Sequence, residues 1–131
     1  MQEAAEKNPT DAALANNLGV ALRKERRYEE SIAYFQQALE QSPNDVGYAR
    51  NLAIALRGVE RYADAIPAYE KVLSLAPNDA GASYDLANCY EKMGQTDKAV
   101  RTYTRYAELV SAKDPEGAKR ARERASSIAN P

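Results

Sequence analysis

The sequence predicts an all-α fold of three helix–turn–helix units followed by a closing helix. Three observations carry that prediction. First, the 131 residues repeat themselves: Pro9, Pro43 and Pro77 stand 34 residues apart. On that period Leu18-Gly19 falls on Leu52-Ala53 and Leu86-Ala87, Leu22 on Leu56 and Tyr90, Ser31 on Ala65 and Ala99, and Phe35 on Tyr69 and Tyr103. Second, apolar residues recur at helical spacing inside each period, as in Leu14, Leu18, Ala21 and Leu22, and again in Ile32, Phe35, Ala38 and Leu39. Third, the 44% hydrophobic content is carried largely by Ala and by nine Tyr, with one Phe. Such small and amphipathic side chains suit closely packed helices better than a thick sheet sandwich.

Residues 1–8 precede Pro9 as the end of a second helix precedes Pro43, so they are expected to be the tail of a truncated preceding repeat helix. That would make the chain a piece of a longer array. The repeats follow at 12–45, 46–79 and 80–113. Each holds two helices of about 13 residues, near 20 Å in length. Pro43 and Pro77 disfavour helix in the residue before them and stop the second helices. Asp45 and Asp79 then offer side-chain oxygens to the bare N–H groups of the next helix start. Gly19, Ala53 and Ala87 are expected to face Ser31, Ala65 and Ala99, short side chains that let helix axes approach to about 8 Å. Leu18, Leu22 and Phe35, with their equivalents, should fill the space on either side. Pro67 is expected to shorten or kink the helix that holds it. A closing helix at 115–128 has Asp114 as cap and Pro115 in its first turn. Ala118, Ala121, Ala125 and Ile128 can cover the last repeat. Lys119, Arg120, Arg122 and Arg124 on the other side form a solvated face or, alternatively, a basic docking site.

The absences narrow function. No His is present, which removes Ser-His-Asp and Cys-His nucleophile pairs and imidazole metal ligands. One Cys forms neither an internal disulfide nor a thiolate zinc cluster, and Cys89 aligns with Ala21 and Ala55 as a small buried residue. A net charge of −1 lacks the basic excess of a nucleic-acid binder. No apolar run approaches the roughly 20 residues that span a bilayer, and residues 1–30 hold no signal-peptide core. The expectation is a cytoplasmic, non-catalytic protein that needs no cofactor or metal, binds no nucleic acid and inserts in no membrane.

The recurring Leu-Gly or Leu-Ala, the aromatic or Leu three positions on, the later Ala-x3-Phe/Tyr and the closing Pro resemble the tetratricopeptide repeat family. The resemblance covers about three quarters of the chain. It implies a right-handed α-solenoid of three such repeats plus a C-terminal capping helix. The family's Trp position is held by Ala15, Ala49 and Ser83, and its turn Gly only by Gly94, with Arg26 and Glu60 in the other two turns. If those turns need positive φ, each non-Gly residue costs about 1 kcal/mol.

Stacked helix pairs turn slightly from one to the next, so the first helices should line a concave groove. The candidate groove residues are Asn17, Val20, Arg23 and Lys24; then Arg50, Asn51, Ile54 and Arg57; then Tyr84, Asp85 and Asn88. Asn17, Asn51 and Asp85 recur at the period, and an amide can pair with the main chain of an extended peptide or brace neighbouring helices. Arg23, Lys24, Arg50 and Arg57 make repeats 1 and 2 basic, whereas Asp85 and Glu91 make repeat 3 acidic, which favours a segment of negative charge over the first two repeats. Chaperone-binding members clamp a C-terminal carboxylate with Lys and Arg. Here Asn16, Gly81 and Asp85 occupy clamp positions, so the resemblance does not extend to Hsp70 or Hsp90 tails. The expected function is a scaffold or adaptor module binding a peptide segment of another protein. The alternatives are self-assembly into a homo-oligomer through the terminal helices, or a recruiting segment of a larger enzyme.

Overall fold

The structure, a computed structural model, describes residues 9–131. The expected helix tail at residues 1–8 lies outside the described residues. Among them are seven helices and no strand: α1 (Pro9–Lys24), α2 (Tyr28–Gln41), α3 (Val46–Gly58), α4 (Tyr62–Leu75), α5 (Ala80–Lys92), α6 (Thr96–Val110) and α7 (Pro115–Ala129). They form two compact units, one ending at Arg61 and one covering Tyr62–Pro131.

In the first unit α1 and α2 form a hairpin around Gly19. A Cβ built there would lie 2.7 Å from both Cδ1 and Cε1 of Phe35, whose side chain is wholly buried. The hydroxyl of Ser31 donates to the Gly19 carbonyl at 2.8 Å, so the pair is joined as well as close. Ala12, Ala15, Ile32 and Ala38 are buried around this contact. The turn closes with Arg26 at φ 64° and the Arg27 N–H on the Leu22 carbonyl at 2.9 Å. Glu60, after α3, repeats the geometry at φ 64°. Asp45 caps α3 by accepting the Tyr48 N–H at 3.1 Å.

One expectation fails in this unit. Leu18 does not fill the core: it is 40% exposed, and Leu14 is 56% exposed. Leu52, the counterpart of Leu18, is 8% exposed and lines a shallow depression with Leu39 of α2 and with Pro43 in the turn that follows. The face in question is covered by the second helix of the preceding repeat, as α2 packs on α3 and α4 on α5. No helix precedes α1 among the described residues.

In the second unit α4 runs through Pro67 from Tyr62 to Leu75, so the proline does not shorten the helix. The proline removes one backbone donor near the helix start and stands on the exposed face, away from the packing. Asp79 caps α5 by accepting the Ala82 N–H at 3.0 Å, and the turn after α5 has Gly94 at φ 75°. Leu86, Ala87, Cys89 and Tyr90 of α5 and Ala99, Tyr103 and Ala107 of α6 are buried. Asp114 accepts the Gly117 N–H at 2.9 Å to start α7, with Pro115 as its first residue. Ala118 and Ala121 then join Ala107 in a cluster bordered by Tyr106 and Val110. Ile128, expected on the covered face, is only half-buried, and Gly117 is buried on it instead.

Candidate functional site

In the first unit the candidate residues lie on α1 and α3. Asn17, Lys24 and Ile54 are exposed; Val20, Arg23, Arg50, Asn51 and Arg57 are half-buried. The Asn51 amide donates to Asn16 Oδ1 at 2.9 Å, which ties α3 to α1. One member of the asparagine series is therefore engaged in bracing, through the neighbour of its periodic partner. The guanidinium of Arg23 lies 5.8 Å from the centre of the Phe35 ring. That stacking holds the cation against the hairpin.

In the second unit Tyr84, Asp85 and Asn88 lie on α5, and the structure separates them. Asp85 turns toward α4 and accepts the Tyr69 hydroxyl at 3.0 Å. Tyr84 and Asn88 line a cleft of about 510 Å³. Tyr84 is 45% exposed. It meets two rings of α6 edge-on: Tyr103 at 5.7 Å and 71°, and Tyr106 at 5.1 Å and 64°. These distances suit favourable edge-to-face pairs. Glu91 of α5 and Gly117, Arg120, Ala121 and Arg124 of α7 complete the cleft.

Glu91 organises the polar side. It accepts the Tyr103 hydroxyl at 2.8 Å and the Arg124 Nε–H at 3.1 Å, while Arg124 Nη2 reaches its other oxygen. Burial pushes the Glu91 carboxyl up, but the bonds from Arg124 and Tyr103 outweigh it and hold the group below the usual carboxylate range. Burial, then the bond to Glu91, raises the Tyr103 phenol well above its ordinary value. Outside the cleft, burial and a 2.7 Å bond to Glu70 push the Tyr90 phenol up to about 12.

Sequence reasoning placed Arg120 and Arg124 on a face of the closing helix that is either solvated or a basic docking site, and Tyr103 at a core position. Both arginines are exposed and Tyr103 is buried, and the structure adds their partners. Arg124 bridges back to α5, Arg120 lines the cleft, and Tyr103 is buried as a ring with its hydroxyl in the polar cluster. The signal was present in the spacing, because 117, 120, 121 and 124 form one stripe of a helix. Only the direction of that stripe was missing. Among the described residues no group of three His, Cys, Asp or Glu is placed to hold a metal ion. No helix among them is long and apolar enough to cross a membrane.

Comparison with known proteins supplies the lineage. None of the curated protein sequences matches this chain. Among solved structures, the first tetratricopeptide domain of Spaghetti (RPAP3) bound to an HSP90 peptide is similar at a TM-score of 0.79 and 17% identity, over 95% of this chain and 97% of that one. The Arabidopsis OM64 tetratricopeptide domain gives 0.76 and 15%, over 91% and 97%. The Yersinia enterocolitica type III secretion chaperone SycD, in complex with a peptide of the translocator YopD, gives 0.77 and 18%, over 89% and 91%. At these identities the likeness shows the fold: an all-α solenoid of helix–turn–helix repeats. Two tetratricopeptide repeat family models match the sequence itself, one over residues 10–78 and one over 56–119. With more than half of its length matched by one of these models, the chain belongs to the tetratricopeptide repeat family.

Proposed function

We propose that the chain is a non-catalytic interaction module that holds a peptide segment of a partner protein on the exposed faces of its first helices. The observation that carries this reading is Tyr84: a large aromatic side chain that lines a cleft and is left 45% exposed, while its neighbours Leu86 and Ala87 are buried. A ring so placed is available to a ligand, and the helices beneath it are already packed, so little ordering opposes binding. Two of the similar structures contain bound peptides, from HSP90 and from YopD. A carboxylate clamp is not part of the proposal, since Asn16 at a clamp position is paired with Asn51. Selection from a displayed library of random nine-residue peptides, followed by titration, tests the reading. Enriched peptides should lose at least about tenfold in affinity to Tyr84→Ala, or to the combined Asn17→Ala, Arg50→Ala and Asn51→Ala variant. A library that yields no binder, or binders indifferent to both variants, overturns it.

A second reading, self-association through the exposed face of α1, is favoured by the exposure of Leu14 and Leu18. Light scattering over a range of concentrations, with Leu18→Glu as the disrupting variant, decides it: a strict monomer at all concentrations removes it.

A further inference from the structure

We propose that the cleft between α5, α6 and α7 is a subsite for an aromatic side chain next to a carboxylate on the bound peptide. The inference rests on the peptide-binding reading and gives it a chemistry. Its charge follows from the pairing. Arg124 and Glu91 neutralise each other. Lys119, Arg122 and Glu123 line a separate shallow depression on α7. Among the described residues Arg120 alone of the cleft's charged groups has no ion-pair partner. The cleft thus presents one uncompensated guanidinium, a planar fork matched to a carboxylate by two parallel hydrogen bonds.

Its walls are aromatic. Tyr84, Tyr103 and Tyr106 form one edge-to-face cluster, a surface on which a further ring adds at favourable geometry. The 510 Å³ volume lies within the roughly 300–1,000 Å³ of small-ligand sites and has room for a large side chain with its neighbour. Competing ligands fit less well. A purely apolar segment would bury Arg120 unpaired, which is costly. A cation meets the uncompensated guanidinium. A phosphate dianion brings a second negative charge beside Glu91, whose own cation is already taken. A single carboxylate, from an Asp or Glu side chain or from a chain terminus, leaves neither imbalance.

Three synthetic peptides test this by titration followed with backbone amide chemical shifts: acetyl-Gly-Ser-Phe-Glu-Ser-Gly-amide, the same peptide with Gln for Glu, and acetyl-Gly-Ser-Phe with a free terminal carboxylate. The Glu peptide should bind about tenfold more tightly than the Gln peptide, with shifts centred on Tyr84, Tyr106 and Arg120. Arg120→Gln should erase that difference, and Tyr84→Ala should weaken both peptides. Arg122→Gln, on the other depression, should change nothing. The tighter of the Glu and free-terminus peptides identifies the source of the carboxylate. Equal binding of Glu and Gln peptides, a preference that survives Arg120→Gln, or no binding at all overturns the subsite. The random library separates the two failures: binders that depend on Tyr84 but carry no aromatic–acidic pair end this inference and leave the module intact.

Discussion

Gly19 and Gln41 occupy opposite ends of the packing spectrum. Beside Gly19 the ring of Phe35 leaves no room for even a methyl group and is itself wholly buried, so it cannot swing away. Gly19→Leu should therefore cost about 1–3 kcal/mol or more in urea unfolding, despite leucine's better helix propensity. Gln41 is the reverse case. Both polar atoms of its amide are buried without a hydrogen-bond partner among the described residues, and the next repeat has Leu75 in register. Gln41→Leu should raise stability by about 1–3 kcal/mol, because it removes two desolvated groups rather than a working bond. Tyr90 gives an alkaline signature. Its phenol is raised to about 12 in the fold from an ordinary 10. A raised value means that stability is whole below pH 10 and declines as pH climbs through about 12. Tyr90→Phe should make that decline shallower, and Tyr103→Phe, whose phenol is raised too, should remove a further part of it.

Turns and caps were legible because their causes are local. Arg26 and Glu60 adopt φ 64° where Gly94 adopts 75°, as the register of the three turns requires. Left-handed backbone costs a non-Gly residue roughly 1–2 kcal/mol, against the 0.5–1 kcal/mol that glycine loses in entropy. Glu60→Gly should accordingly raise the melting temperature slightly, by a net gain of about 0.5–1 kcal/mol. The Asp45, Asp79 and Asp114 caps were readable from an acidic residue standing just ahead of each helix. Where the expectation failed, the cause lay in another element. Leu18 carries the same local signal as Leu52, yet among the described residues only Leu52 has a helix in front of it. Arg124 sits on a stretch of α7 rich in Lys and Arg, and nothing nearby in sequence announces that Glu91, 33 residues earlier, will meet it. Pro67 signalled a shortened or kinked helix, and Ala65, Ala68, Tyr69 and Val72, buried in the core, hold α4 to its full length.

At the scale of the molecule, fold and family were legible because a period of 34 repeats every cue several times. The candidate surface was half legible: the period identified Tyr84 and Asn88, but the wall that α7 adds has no copy in the other repeats. In arrays of this kind stability is close to a sum of nearest-neighbour terms, so the terminal helix responds to its own attachments. For α7 one of these is the Glu91–Arg124 pair. Glu91 has a depressed value in the fold, so its contribution is present above the ordinary carboxylate range near pH 4.3 and is lost as pH falls through the folded value. Amide protection in α7, taken relative to the intrinsic exchange rate, should fall selectively in that acid window, and Glu91→Gln should weaken that pH dependence while leaving α1 and α2 unchanged. A uniform loss of protection in all helices would show that the pair does not govern the end.

The tyrosine cluster also gives the molecule its own optical reporter. The chain has nine Tyr and no Trp, so its ultraviolet emission comes from phenols alone, and three of the nine line the cleft. A guest that settles among them should alter that glow directly, with no dye attached, and the change would vanish when Tyr84, Tyr103 and Tyr106 are made dark by substitution.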